Sequence, residues 1–209
     1  MFITFEGVEG SGKSLQIARA QDHLHRKGIV CLVTREPGGT DFGLALRSVL
    51  LGMNTYRMEP WSELLLYLAD RVQHLKEVIE PALRGGAVVL SDRYQDATRA
   101  YQGAARGIPA AEIEKLNGIL GIMEPDRTIL LDLDPEQGLS RARARNQASG
   151  SAAAEGRFEA EALEFHRKVR EAYLDIAAKS LQRISVVPAS GSPDDVAARI
   201  ACLLDKWIV

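Results

Sequence analysis

The chain has 209 residues, 46% of them apolar, and balances 26 Lys and Arg against 28 Asp and Glu. That length suits a single α/β domain over residues 1–209 better than two separate domains, and a net charge of −2 with a pI near 6.1 leaves no footprint for general nucleic-acid binding. No apolar run reaches the length of a membrane span, and no basic-then-apolar leader precedes the first strand-like run, so a cytoplasmic location with no membrane partner is expected.

Phe2–Phe5 is a short β-prone run. Directly after it comes Gly7-Val8-Glu9-Gly10-Ser11-Gly12-Lys13-Ser14, which fits Gly-four residues-Gly-Lys-Ser/Thr in full. Glycines at these positions let successive backbone N–H groups turn inward around phosphate oxygens. Leu15 to His25 reads as a helix whose positive end points at the same oxygens. Strand, glycine loop and helix together make this a nucleotide-phosphate site, with Lys13 reaching the outer phosphates and Ser14 placed to ligate Mg²⁺.

Further strands are expected at Ile29–Thr34, Ala87–Ser91, Thr128–Leu133 and Ile184–Val187, each apolar on both faces. Long helical patterns separate them. From Pro60 to Leu83, Trp61, Leu64, Leu65, Leu68, Val72, Leu75 and Ile79 recur at helical spacing. The last helix starts at Ser192 as N-cap, with Pro193, Asp194 and Asp195 in its first turn. The alternation predicts a three-layer α/β/α fold: a five-stranded parallel sheet with helices on both faces. Cys31 and Cys202 lack metal-ligand spacing and sit in apolar stretches, which points to core positions.

Asn146–Gly156 is small, polar and glycine-bearing. Composition alone reads equally as a mobile lid or a tolerated surface insertion. Arg141, Arg143 and Arg145 on one flank and Arg157 on the other favour a lid, about 141–157, that clamps a triphosphate.

A P-loop serves kinases, GTPases and regulatory ATPases alike. No Asn-Lys-x-Asp segment supports a GTPase. A small kinase needs an acceptor site, and two segments supply candidates near 35–75 and 92–107. Thr34-Arg35-Glu36-Pro37-Gly38-Gly39-Thr40 follows strand two, and Ser91-Asp92-Arg93-Tyr94 follows strand three. Both lie at carboxyl edges, where open α/β sheets bind ligands. Asp92 suits a carboxylate holding Mg²⁺, directly or through water. Arg93 suits a bridge between donor and acceptor phosphates. Tyr67 and Arg71 share a helix face and suit a nucleobase, although the spacing alone fits a half-buried ring beside a solvated guanidinium better.

These segments, with Phe5-Glu6-Gly7, Ala100-Tyr101-Gln102-Gly103, Arg106-Gly107, Pro125-Asp126 and Leu131-Asp132, resemble the bacterial thymidylate kinases over nearly the whole chain. The resemblance implies transfer of the γ-phosphoryl of ATP to dTMP, giving dTDP, with Mg²⁺ as cofactor and a homodimer as the assembly. It implies that Glu9 recognises the deoxyribose 3′-hydroxyl and that Tyr67 stacks on thymine. It also implies that Arg71 bonds a thymine carbonyl, that Gln102 meets the N3 edge, and that Thr98 lies near the base. Pro37 would pack on the sugar, and Arg47 would lie near the acceptor. Gly10 stands where some members carry a loop arginine, so the chain resembles the subtype that supplies it from the lid. Arg145 matches that position best, and Arg141 and Arg143 either contact the adenine-nucleotide side, where Arg141 is assigned to ATP, or are simply solvated. Tyr67 in place of the commoner Phe, and Ala97 where serine is frequent, depart from the pattern. The runner-up readings are a kinase for CMP, UMP or AMP and, further off, a regulatory P-loop ATPase.

Overall fold

The computed structural model describes residues 1–52, 57–149 and 156–208. Five strands, β1 Phe2–Glu6, β2 Cys31–Arg35, β3 Val88–Asp92, β4 Arg127–Asp132 and β5 Ile184–Pro188, form one parallel sheet in the order β2-β3-β1-β4-β5. β1 is central, and its neighbours run out in opposite directions along the sheet. That arrangement opens a crevice at the carboxyl edge, between the ends of β1 and β3.

Side-chain alternation along the strands feeds two cores. Ile3, Phe5, Val88 and Leu90 enter one, while Phe2 and Val89 enter another with Leu75, Ile79 and Tyr94. Both faces of the sheet are therefore covered, as expected for parallel strands. The outer strands depart from that expectation. β2 and β5 are edges, and Val33 and Val186 are exposed there. The same edge position leaves Cys31 only half-buried, and Cys202 is exposed on the last helix, so neither cysteine is a core residue.

Nine α-helices carry the rest of the described fold: α1 Lys13–Arg26, α2 Asp41–Leu51, α3 Pro60–His74, α4 Glu80–Arg84, α5 Gln95–Thr98, α6 Ala110–Leu120, α7 Pro135–Ser149, α8 Leu163–Lys179 and α9 Pro193–Ile208. The helix expected from Pro60 to Leu83 is interrupted by a π-helical turn at Leu75–Ile79. Pro81 explains the interruption. It has no N–H to give, and its ring crowds the carbonyl four residues back, so the preceding turn widens and Glu80 N bonds Leu75 O. Of that helix's apolar stripe, Leu64, Leu68, Leu75 and Ile79 are buried, while Trp61 and Leu65 are exposed. A second π-helical stretch, Arg99–Ala105, follows α5 and is closed by Arg106 N bonding Tyr101 O. The last helix starts as its cap predicts, with Asp195 N donating to Ser192 Oγ at 3.2 Å.

The expected lid is helical over its first part, since α7 runs on to Ser149 and carries Arg141, Arg143 and Arg145. The rest of Asn146–Gly156, residues 150–155, lies outside the described residues.

Candidate active site

A cleft of about 830 Å³ opens at the carboxyl edge of β1, β2 and β3. The phosphate loop forms its floor. Gly12, at φ 91°, caps α1 without a side chain, and no acidic residue sits in the helix's first turn. Both features leave the first N–H groups free to face an anion. Lys13 is buried, with Nζ 3.0 Å from the carbonyl oxygens of Gly7 and Val8. Burial lowers its ammonium to about 8; the charge of Arg93 pushes the same way, and Asp92 and Glu9 oppose it. Ser14 Oγ donates to Asp92 Oδ2 at 3.0 Å across the β1–β3 seam.

Arg93 has φ 71°, a left-handed conformation unusual for a side chain of its size. This turn swings its guanidinium back over the loop, where Nη1 donates to Gly7 O and Tyr173 OH and Nη2 to Glu9 Oε1. Glu9 is a hub. Oε1 also accepts Tyr101 OH at 2.6 Å, and Oε2 lies 3.1 Å from His166 Nδ1. Burial alone would raise the Glu9 carboxyl, but the His166 hydrogen bond and the charges of Arg93 and Lys13 hold it down at about 2. Against such a carboxylate the histidine nitrogen must be the donor. Beneath the hub, Glu6 is fully buried, accepting Tyr94 N and Tyr173 OH. Desolvation and the charge of Asp96 raise its carboxyl to about 7.

The opposite wall is built from the β2–α2 connection and α3. Thr40 caps α2 by accepting Gly43 N. The Glu36–Pro37 peptide is cis. A buried chain of hydrogen bonds then crosses the wall. Thr34 Oγ1 meets His74 Nε2 at 2.6 Å, and His74 Nδ1 meets Glu36 Oε1 at 2.9 Å. Arg71 Nε donates to Glu36 Oε2 at 2.8 Å, and Arg71 Nη1 to Thr98 Oγ1 at 2.9 Å. Arg71 is 1% exposed yet lines the cleft.

The cleft gathers Glu9, Gly10, Gly12, Lys13, Ser14, Pro37, Arg47, Tyr67, Arg71, Asp92, Arg93, Thr98, Gln102 and Arg145 from the sequence-based set. Gly7, Val8 and Ser11 complete the loop behind it. Arg47 donates to the Pro37 carbonyl. Burial pushes the Tyr67 phenol up. Thr98 lines the cleft beside Arg71, and its hydroxyl accepts from Arg71 Nη1 and so orients the guanidinium. Arg145 reaches the rim, 3.2 Å from Glu159. Arg141 lies outside the cleft lining, its guanidinium 3.5 Å from the Ala189 carbonyl just past β5. Sequence reasoning missed Glu36, Glu63, His74, Tyr101, His166 and Tyr173. Glu36 and Tyr101 stood inside quoted motifs and could have been assigned. The others are isolated residues on helices and give no local signal.

Ser14 and Asp92 fit a hard divalent cation, since they present adjacent oxygens. No group of three or more His, Cys, Asp or Glu side chains that could hold a metal ion lies among the described residues. No described helix is long and apolar enough to cross a membrane.

The thymidylate kinase family model matches residues 5–200. A thymidylate kinase of Solidesulfovibrio magneticus is 51% identical over 209 residues, covering 100% of both chains. One from Nitratidesulfovibrio vulgaris is 53% identical over 197 residues, covering 94% of this chain and 88% of its own. The crystal structure of thymidylate kinase from Ehrlichia chaffeensis superposes with a TM-score of 0.76 at 31% identity, covering 98% of each chain. On these matches the chain belongs to the thymidylate kinase family.

Proposed function

We propose that this protein transfers the γ-phosphoryl group of ATP to dTMP, forming dTDP and ADP. As a member of its family it is an ATP-dependent nucleoside monophosphate kinase. The observation that carries the finer reading is that one cleft joins the phosphate loop to the ring of Tyr67 and the guanidinium of Arg71.

Lys13 and the N-terminus of α1 hold the outer phosphates of ATP, and the other loop residues cradle them. Glu9 and Tyr101 face the acceptor's sugar, Pro37 and Arg47 flank it, and Tyr67, Arg71, Thr98 and Gln102 face its base. Arg93 stands between donor and acceptor and offers donors where charge builds as the γ-phosphorus changes partner. A phosphate oxygen of dTMP attacks that phosphorus in line, the bond to the β–γ bridging oxygen breaks, and ADP leaves. The attacking oxygen is already anionic, so no general base is needed, and catalysis is positioning plus charge neutralisation. Ser14 and Asp92 would hold Mg²⁺, directly or through water, and the ion would supply part of that neutralisation on the ATP phosphates. Arg145 on the lid helix closes over ATP, and Arg141 lies on its nucleoside side. The family points to a homodimer, and the exposed Trp61 and Leu65 of α3 suit its interface.

A coupled assay of ADP release with each monophosphate in turn tests the reading. dTMP should exceed CMP, UMP and AMP by about 100-fold or more in kcat/KM. Equal turnover of another monophosphate would install that kinase instead. ADP release that ignores every acceptor would point to a regulatory ATPase.

A further inference from the structure

Glu63 lies in the first turn of α3 and is 1% exposed. Its Oε1 accepts Nε2 of Gln102 at 2.7 Å and has Nε of Arg106 at 3.5 Å. Its Oε2 accepts Nη2 of Arg157 at 2.7 Å. A carboxylate between two guanidinium groups offers only acceptor lone pairs. The Gln102 amide must therefore turn its NH₂ towards Glu63. Its Oε1 is left facing the other way and accepts no hydrogen bond from a described residue. Gln102 lines the cleft beside Tyr67, Arg71 and Thr98.

We infer that Glu63 sets the base selectivity of this enzyme by fixing the Gln102 amide with its carbonyl oxygen, and not its NH₂, towards the base. The inference rests on the reading of Gln102 as the residue at the pyrimidine N3 edge. A base with N3–H and a 4-oxo group donates to Gln102 Oε1 and accepts from Arg71. A cytosine-type base carries a lone pair at N3 and an amino group at C4. It would set acceptor against acceptor at Gln102, and donor against donor at Arg71, which has no acceptor to offer. Buried mismatches of this kind let a site reject an analogue far more strongly than shape alone does. An amide free to rotate by half a turn would present NH₂ instead and lose half of that discrimination. Glu63 touches no reacting atom. It is a positioning residue that acts through Gln102.

The test compares kcat/KM for dTMP and for 5-methyl-dCMP, which share the methyl group and the sugar and differ only at N3 and C4. Glu63→Gln is nearly isosteric. Arg106 and Arg157 would then compete for the new side chain's single oxygen, turning its NH₂ towards Gln102 and forcing that amide over. The dTMP to 5-methyl-dCMP ratio should fall about tenfold or more. Glu63→Asp keeps an acceptor-only partner, so its ratio should stay within about threefold of the parent even where absolute rates drop. A ratio unchanged in Glu63→Gln, or lost equally in both variants, overturns the inference. Gln102→Leu separates this from the underlying reading. If it leaves the KM for dTMP unchanged, Gln102 is not at the base and both fail. If it raises that KM while Glu63→Gln keeps the ratio, only the role of Glu63 fails.

Discussion

Gly10 and Gly138 meet backbone to backbone: a Cβ on Gly10 would stand 2.0 Å from the Gly138 carbonyl oxygen, and one on Gly138 would stand 2.3 Å from that of Glu9. The helix that bears Arg141 and Arg145 is thus seated directly on the phosphate loop. Gly10 also has φ 69°, which a larger residue adopts at a penalty of about 1–2 kcal/mol. Gly10→Arg, which installs the loop arginine of other family members, should lower kcat/KM for ATP about tenfold or more by lifting α7 off the loop. Arg145→Ala should lower kcat by about 100-fold or more. The double variant should be worse than either. Steady-state kinetics on the three proteins decide it, and recovery of kcat in the double variant would refute the steric argument.

Arg71 has two attachments with different consequences. Replacing it with Ala leaves Glu36 buried against His74 alone, which should destabilise the fold by about 3 kcal/mol. It should also raise the KM for dTMP about 30-fold or more while the KM for ATP stays nearly constant. Urea unfolding and two-substrate kinetics read the effects separately. A KM for dTMP that does not move would remove Arg71 from the base.

Lys13 gives a pH signature. Its ammonium titrates at about 8 in the free protein because burial disfavours the charge. As pH rises through that value the loop loses its cation, so kcat/KM for ATP should decline on the alkaline side with an apparent pKa near 8. The limb in kcat should lie higher, since bound phosphates hold the proton on. Profiles of the two parameters should therefore separate, and coincident limbs would count against Lys13 as the titrating group.

Glu9 gives the opposite sign in stability. Its carboxyl is held at about 2, against 4.5 for an unperturbed glutamate. The unfolded chain therefore takes up the proton first as pH falls. The stabilisation is fully present above pH 4.5 and is lost on the way down to about 2. A shift of that size corresponds to on the order of 3 kcal/mol. Glu9→Gln should therefore trail the parent protein at neutral pH and converge with it in acid. Unfolding curves at about pH 7 and about pH 3 measure the gap, and one that stays constant would show that Glu9 gains nothing from its ionised partners.

The strands and the phosphate loop were legible because their signals are local. Short Val/Ile/Leu runs, glycines and a Lys-Ser pair need no partner to be recognised. Edge position was not, since Cys31 and Val33 sit in as apolar a run as the central strands. The break at Leu75 was hidden because Pro81 leaves the hydrophobic spacing intact and alters only the pitch. Within the site, residues projecting from loops at strand ends were readable from motif position. Those that hold them came from afar: His166 is 157 positions from Glu9, and Arg157 is 94 from Glu63. Such pairings depend on how helices stack, which no single segment encodes.

The wide turn at Arg99–Ala105 has a consequence for substrate checking. Tyr101 and Gln102 are adjacent in sequence, yet one reaches Glu9 and the other Glu63. The bond from Arg106 N to Tyr101 O spans one residue more than an α-helical bond does. Deleting one residue here would let the turn close as ordinary helix. The angle between the Tyr101 and Gln102 side chains would then be set by ordinary helical pitch and no longer by the wide turn. Sugar inspection and base inspection thus hang on a single backbone pitch, and neither can drift without carrying the other along.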